Sequence, residues 1–256
     1  MVLNSLFLSL SEQARLIRGG EITSVELVQA QLSQISKYNP QLNSLIAVDP
    51  ENALQQATEI DAALAKGAEL GPLAGVTLGV KDAVPVKGIP WTINSRLFAN
   101  RVPEDDAPAI ARLKKAGAIV IGKANLNEFF SRPTESDLNP PPWNPWNPER
   151  MSVGSSSGSG AALAARMTSG TIGVDGGGSV RLPAGAHNLY GIKPTHGLVS
   201  RIGVGRSEHS EICPLGFTAL DTALMLEAMV GYEPDDDLSW PGYVPEYSAN
   251  IDADVN

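Results

Sequence analysis

The sequence predicts an α/β fold with parallel strand organisation, and three observations carry that prediction. The beginning of the chain places apolar residues at helical spacing, short wholly apolar runs replace that pattern from Val76, and these runs alternate with helix-period segments. Strand, helix and strand in that order is the grammar of a parallel sheet with crossover helices. The 256 residues, 43% of them hydrophobic, can bury a substantial core, as one large domain or two small ones. We read a single domain, residues 1–256, with a helical region 1–70, an α/β core 71–234 and an irregular tail 235–256.

A short helix is expected to start near Ser9. Thr23 followed by Glu26 makes a capping-box pattern, and Val25, Val28, Leu32 and Ile35 then recur at helical spacing, so a helix is expected from Ser24 to Ser36. Asp49 as N-cap, Pro50 at the first helical position and Gly67 beyond the last turn bracket another helix, with Leu54, Ala57, Ile60 and Leu64 inward. Val76 to Lys81 reads as a buried strand, Asp106 to Ala116 as a helix and Ala118 to Ile121 as the next strand. Asn139 to Pro148 holds five prolines in ten residues, which predicts a rigid surface excursion or linker. The glycine and serine cluster Gly154 to Gly160 leads into an alanine-rich helix ending near Thr168. A strand from Thr171 to Val174, the glycines Gly176 to Gly178 and a helix from Asp221 to Val230 follow.

A net charge of −9 argues against general affinity for nucleic acid or anionic membranes and suits a small neutral substrate. The one cysteine, Cys213, excludes an intrachain disulfide and reads as core filler in a reducing compartment. Met1 to Leu10 lacks a basic start, a cleavage-like site and the length of a membrane span, so a soluble, cytoplasmic protein is expected. The three histidines lack metal-ligand spacing, and His187 and His196 are expected to make structural hydrogen bonds; no metal or other cofactor is implied.

Topology alone can assemble a reactive site. If the alanine-rich helix runs down the sheet and the strand after it runs back, the loops holding Ser155 and Ser179 share one edge. Lys81 ends its own strand and reaches the same carboxyl edge, where open α/β sheets hold ligands. Gly176, Gly177 and Gly178 can bring backbone N–H groups close to a ligand and stabilise an oxyanion. A serine hydroxyl behind them needs a proton acceptor, and a lysine kept neutral by desolvation can serve. Taken alone, SSSGSG reads as a flexible linker and a strand-end lysine as a solvated charge; the helix directly after the first and the joint spacing of all three favour the site.

Two rivals compete. Gly154, Ser156 and Gly158 spell GxSxG, with His187, His196 or His209 as a base, but that elbow needs a strand leading into the serine and Trp146 to Arg150 leave no room for one. A phosphate loop would need GK[ST], or GxGxxG between strand and helix, and neither is present.

With these residues in place, the sequence resembles the amidase signature family over nearly its whole length. The motifs stand in the family's order: GVKD with Lys81, IGKANLNEF from Ile121, NPWNPER from Asn144, GSSSGSGAALAA from Gly154, DGGGSVRLPA from Asp175 and GIKPTHGLVSR from Gly191. The resemblance implies a mixed, mostly parallel sheet flanked by helices and an amidase without cofactor, acting on a small-molecule amide. It implies Ser179 as nucleophile, Ser155 as the proton-relaying serine that follows a cis peptide, and Lys81 as base. Gly176, Gly177, Gly178 and Ser179 would supply the oxyanion hole, Asp175 and Arg181 would support the loop, and Ser156 would make a secondary contact. Val153, Ser157 and Gly176 depart from the family's usual residues without removing a reactive group, and the usual pattern is blurred from Glu208 to Gly216. Family members continue well beyond this length, so the C-terminal part of the usual domain is expected to be missing here. Apolar surface would then be left for a homo-oligomer or a missing partner segment. The alternative readings are a degenerate homologue without catalysis and the amidase part of a larger amidotransferase.

Overall fold

A computed structural model describes residues 2–131, 136–204, 209–242, 246–249 and 251. Four helices and one strand open the chain: α1 (Val2–Ser5), α2 (Leu10–Arg18), α3 (Ser24–Leu42), β1 (Leu45–Val48) and α4 (Pro50–Ala65). The expected caps close them. Ser9 and Thr23 each complete a capping box with Glu12 and Glu26, and Asp49 accepts from the Asn52 N–H ahead of Pro50. Helix α3 continues past Ser36 and carries Pro40 in its last turns. It ends where Asn43 turns left-handed (φ 51°) and Asn39 grips both backbone polar groups of Leu45 at 2.8 Å.

The core alternates as predicted through β2 (Thr77–Lys81), α5 (Pro108–Lys115) and β3 (Ile119–Ala124). A hairpin of β4 (Trp143–Asn144) and β5 (Asn147–Met151) follows, then α6 (Ser157–Ala164), β6 (Gly170–Asp175), α7 (Arg181–His187), β7 (Tyr190–Gly191), β8 (Glu211–Gly216) and α8 (Ala219–Met229). Six strands form one sheet in the order β1-β3-β2-β6-β8-β7. β3, β2, β6 and β7 point one way, while β1 and β8 run against their neighbours, so the sheet is mixed and mostly parallel.

Several elements depart from the sequence reading. The proline-rich segment is the β4–β5 ribbon, outside the main sheet, and a strand therefore does precede the first serine cluster. Every residue of β5 is exposed, so it is no central strand and does not feed an elbow at Ser156. Helix α6 starts earlier than expected, at Ser157, and also stops earlier, because Arg166 takes a left-handed φ of 60° just beyond its end. Strand β8 was obscured by its own chemistry: a buried Glu211 begins it and Pro214 interrupts its donors. Helix α7 was hidden by Pro183 and Gly185, the proline sitting in the first turn, where no intrahelical donor is lost.

Helices cover both faces of the sheet. Leu78, Val80, Val120, Ile172 and Ile212 pack with Leu10, Ile110, Leu113 and Met225 of α2, α5 and α8. Ile119 and Ile121 pack with Val28, Ile35, Ala53 and Ala57 of α3 and α4, and Leu163, Val180, Cys213 and Leu215 form a third cluster beside α6. The two-residue period of β2 therefore sends Leu78 and Val80 to one side and Thr77, Gly79 and Lys81 to the other, where α6 lies. Helix α6 can lie there because it is small. A side chain at Gly158 would collide with the backbone of Asn125 and Ser44, and one at Gly160 with the His187 ring. Elsewhere Phe7 and Trp146 stand exposed at a cleft of about 530 Å³. Among the described residues, no helix is long and apolar enough to cross a membrane.

Candidate active site

The carboxyl ends of β2 and β6 and the amino end of α6 meet at one sheet edge, and the predicted residues meet with them. Lys81, at the end of β2, is wholly buried. Its Nζ donates to Ser155 Oγ at 2.8 Å, to Ser156 Oγ at 2.9 Å and to the Val174 carbonyl at 3.3 Å, and the Phe130 ring lies 5.1 Å away. Burial pushes the lysine down to about 7, against the opposing pull of the Asp175 charge. Cys213 is buried nearby, and its thiol is pushed so far up by burial that it stays uncharged. An amine with that pKa can be both held and emptied of its proton near neutral pH.

Ser155 follows a cis Gly154–Ser155 peptide and is buried, whereas Ser179 is half-buried at the surface of the glycine loop. The two loops are joined directly, the Ser156 N–H donating to the Ser179 carbonyl at 3.1 Å. The Ser179 hydroxyl makes no hydrogen bond within the described chain. The chain of contacts thus runs from Lys81 to Ser155, and among the described residues no hydrogen bond continues it from Ser155 to Ser179. Ser156 does more than the secondary contact expected of it. Its hydroxyl shares Lys81 with Ser155 and bonds both the N–H and the carbonyl of Val174 at 3.3 Å, which fixes the first serine loop to the end of β6.

Asp175 organises the second loop. Its carboxylate accepts from the backbone N–H groups of Gly178 at 2.6 Å, Val180 at 3.0 Å and Arg181 at 3.1 Å, and from the Arg181 guanidinium through Nε and Nη2. Burial opposes the charge, but these donors outweigh it and hold the carboxyl well below the usual carboxylate range. One expectation is corrected by the same bonds. The Gly178 N–H faces Asp175, so of the four expected oxyanion donors only those of Gly176, Gly177 and Ser179 are left unbonded.

Among the described residues, no histidine is hydrogen-bonded to Ser155, Ser156 or Ser179. The His187 ring is buried between the Pro183 carbonyl, 2.7 Å from Nδ1, and Ser152 Oγ, 3.1 Å from Nε2; burial pushes its pKa down. His196 Nδ1 lies 2.5 Å from Glu211 Oε1. Among the described residues, no group of three or more His, Cys, Asp and Glu side chains could hold a metal ion.

Sequence reasoning missed a second buried cation. Lys123 on β3 pairs with Asp82 at 3.0 Å, both fully buried, one residue beyond Lys81. The signal was available, since Lys123 interrupts an apolar strand just as Lys81 does. Phe130 over the Lys81 amine was missed too, and nothing in its local pattern announces it.

Comparison with known proteins identifies the family and the fold. The family model for Amidase matches residues 26–253. The chain is 40% identical over 252 residues to a glutamyl-tRNA(Gln) amidotransferase subunit of Bdellovibrio bacteriovorus, covering 97% of this chain and 51% of that protein. The subunit of the same name from a Geobacter species is 42% identical over 247 residues, with 95% and 51% covered. Among solved structures, the native peptide amidase from Stenotrophomonas maltophilia superposes with a TM-score of 0.92 at 30% identity, covering 98% of this chain and 54% of that one. A 6-aminohexanoate cyclic dimer hydrolase superposes with a TM-score of 0.86 at 30% identity, with 97% and 52% covered. The chain therefore spans about half the length of the relatives it matches. A match over most of its residues, with the fold to go with it, makes this chain a member of the amidase family.

Proposed function

We propose that this chain hydrolyses a carboxylic amide to an acid and ammonia or an amine, through an acyl-enzyme on Ser179. The observation that carries the reading is the buried Lys81 bonded to Ser155, with the Ser179 loop hydrogen-bonded to the same serine cluster. Neutral Lys81 takes the Ser155 proton as Ser155 takes that of Ser179, and the Ser179 oxygen adds to the amide carbon. The carbonyl oxygen gains charge where the N–H groups of Gly176, Gly177 and Ser179 can meet it. The relay then returns the proton to the departing nitrogen, and water, deprotonated along the same path, releases the acid. The lone buried cysteine suits a cytoplasmic setting, and the net charge of −9 suits a small uncharged amide.

A fluorophosphonate should label Ser179 and fail to label Ser179→Ala; label that survives this substitution, or none on folded wild-type chain, would sink the reading. The labelling rate also has a predicted pH dependence. The base must be unprotonated, and Lys81 gains its proton as pH falls through about 7, so the rate should drop roughly tenfold per pH unit below that point. A rate flat from pH 5 to 8 would exclude Lys81 as the base.

A second reading, the amidase part of a larger amidotransferase, is favoured by the relatives' names and by the half-length match. Size measurement combined with ammonia release from simple amides separates the two. A monomer that turns over such amides unaided defeats the second reading.

A further inference from the structure

The reaction just described leaves one cation beside the glycine loop without a role. Lys193 follows β7, and its Nζ donates to the Gly176 carbonyl at 3.1 Å. That carbonyl belongs to the same peptide group as the Gly177 N–H, and peptide resonance couples the two ends. A positive donor on the oxygen draws density from the nitrogen and makes its N–H a stronger donor. It also fixes the plane of the peptide, and this matters at Gly177, where an added side chain would meet nothing within 4 Å and no packing holds the backbone.

The lysine is held by rigid structure. β7 pairs with β8, and the Ile192 N–H just before Lys193 donates to the Pro214 carbonyl at 3.4 Å. Its charge also has a counterpart. Asp175 and Glu211 stand directly opposite each other where β6 and β8 meet, so two buried carboxylates share one face of the ladder. Arg181 serves Asp175. Glu211 has His196 on Oε1 and no hydrogen-bond partner on Oε2, and burial raises its pKa against the favourable pull of His196, Arg201 and Lys193. Lys193 thus bonds the Gly176 carbonyl within the electrostatic reach of Glu211, at the rim of an open cleft of about 540 Å³ that His196, His209 and Asp237 also line.

We propose that Lys193 is a positioning residue for the oxyanion hole, orienting and polarising the Gly176–Gly177 peptide so that the Gly177 N–H meets the developing charge. The inference rests on the amide-hydrolysis reading above. Its test compares fluorophosphonate labelling of Ser179 in the wild-type chain and in Lys193→Met, Lys193→Gln and Lys193→Arg, together with melting curves and the Gly177 amide resonance. Losing a whole oxyanion donor costs about 10²–10³ in rate, so weakening one by Lys193→Met should slow labelling by about tenfold or more. The neutral donor in Lys193→Gln should fall between, and Lys193→Arg should stay within a few-fold of wild type. The acid limb near 7 should not move, since Lys81 is untouched. The Gly177 amide should shift in Lys193→Met, and far less in Lys193→Arg. If Lys193→Met does not fold, the ratio of the Gln and Arg variants decides. Wild-type chain that labels, with the Met or Gln variant labelling at the same rate or an unmoved Gly177 amide, overturns the role of Lys193 alone. Wild-type chain that takes no label overturns the hydrolytic reading and this role with it.

Discussion

Replacing Lys81 by methionine should lower amide hydrolysis by roughly 10³-fold or more while making the protein more stable, most of all below pH 7. The loss of rate follows from removing the base of a unit whose members act together. The gain in stability follows from linkage. An ordinary lysine titrates near 10.5, but burial brings Lys81 down to about 7 in the folded chain. Between those values the unfolded chain holds a proton that the folded chain has lost, so stability rises with pH across that window. Below 7 the lysine is charged in both states and folding carries the full cost of burying the charge. Methionine removes that cost, and the hydroxyl of Ser156 keeps an acceptor in the Val174 carbonyl. The advantage of Lys81→Met should therefore be largest near pH 6 and fade toward 10.5. Melting curves at pH 6 and pH 9 check it, and a variant less stable than wild type at both would contradict the burial argument.

The same strand explains why the site was legible before the fold was known. Lys81 was recognisable because a cation closing a wholly apolar run must either snorkel to water or find partners inside, and the two serine clusters were the partners at hand. Their spacing around one helix and one strand sufficed to bring Ser155 and Ser179 to a common edge, as the bond between Ser156 and Ser179 requires. What remained hidden depends on pairing between distant segments. Strand β8 sits between β6 and β7 although its sequence mixes a charge, a cysteine and a proline, because its neighbours rather than its own pattern hold it there. The commitment of the Gly178 N–H to Asp175 was equally invisible, since four consecutive backbone donors look alike until the chain turns; Gly178 takes a φ of 116°, and its N–H goes inward. Lys193 belongs to the same class, because α7 and β7 lie between it and Gly176 in the chain and only their folding brings the two together.

The second large effect is expected at Lys123. Its ammonium donates to the Val84 carbonyl at 2.7 Å and pairs with Asp82 Oδ1 at 3.0 Å, and neither side chain reaches solvent. The other carboxylate oxygen accepts from the Thr92 N–H at 3.0 Å and the Thr92 hydroxyl at 2.5 Å, which ties the loop after β2 to the strand that carries Lys81. Removing one member of a buried pair leaves the other uncompensated, at a cost of about 3–5 kcal/mol. Lys123→Met should therefore lower the melting temperature by roughly 10 °C. Combining it with Asp82→Asn removes the stranded charge and keeps an oxygen for the two Thr92 donors, so the double variant should recover most of the loss. Urea denaturation of the single and double variants measures the coupling directly. Additive losses would mean that the pair is not a unit and that other groups compensate Asp82. Recovery in the double variant, with Ser179 labelling restored, would show that the pair supports the catalytic edge through the strand ends it joins, because Asp82 directly follows Lys81 and its N–H donates to the Ala124 carbonyl at the end of β3.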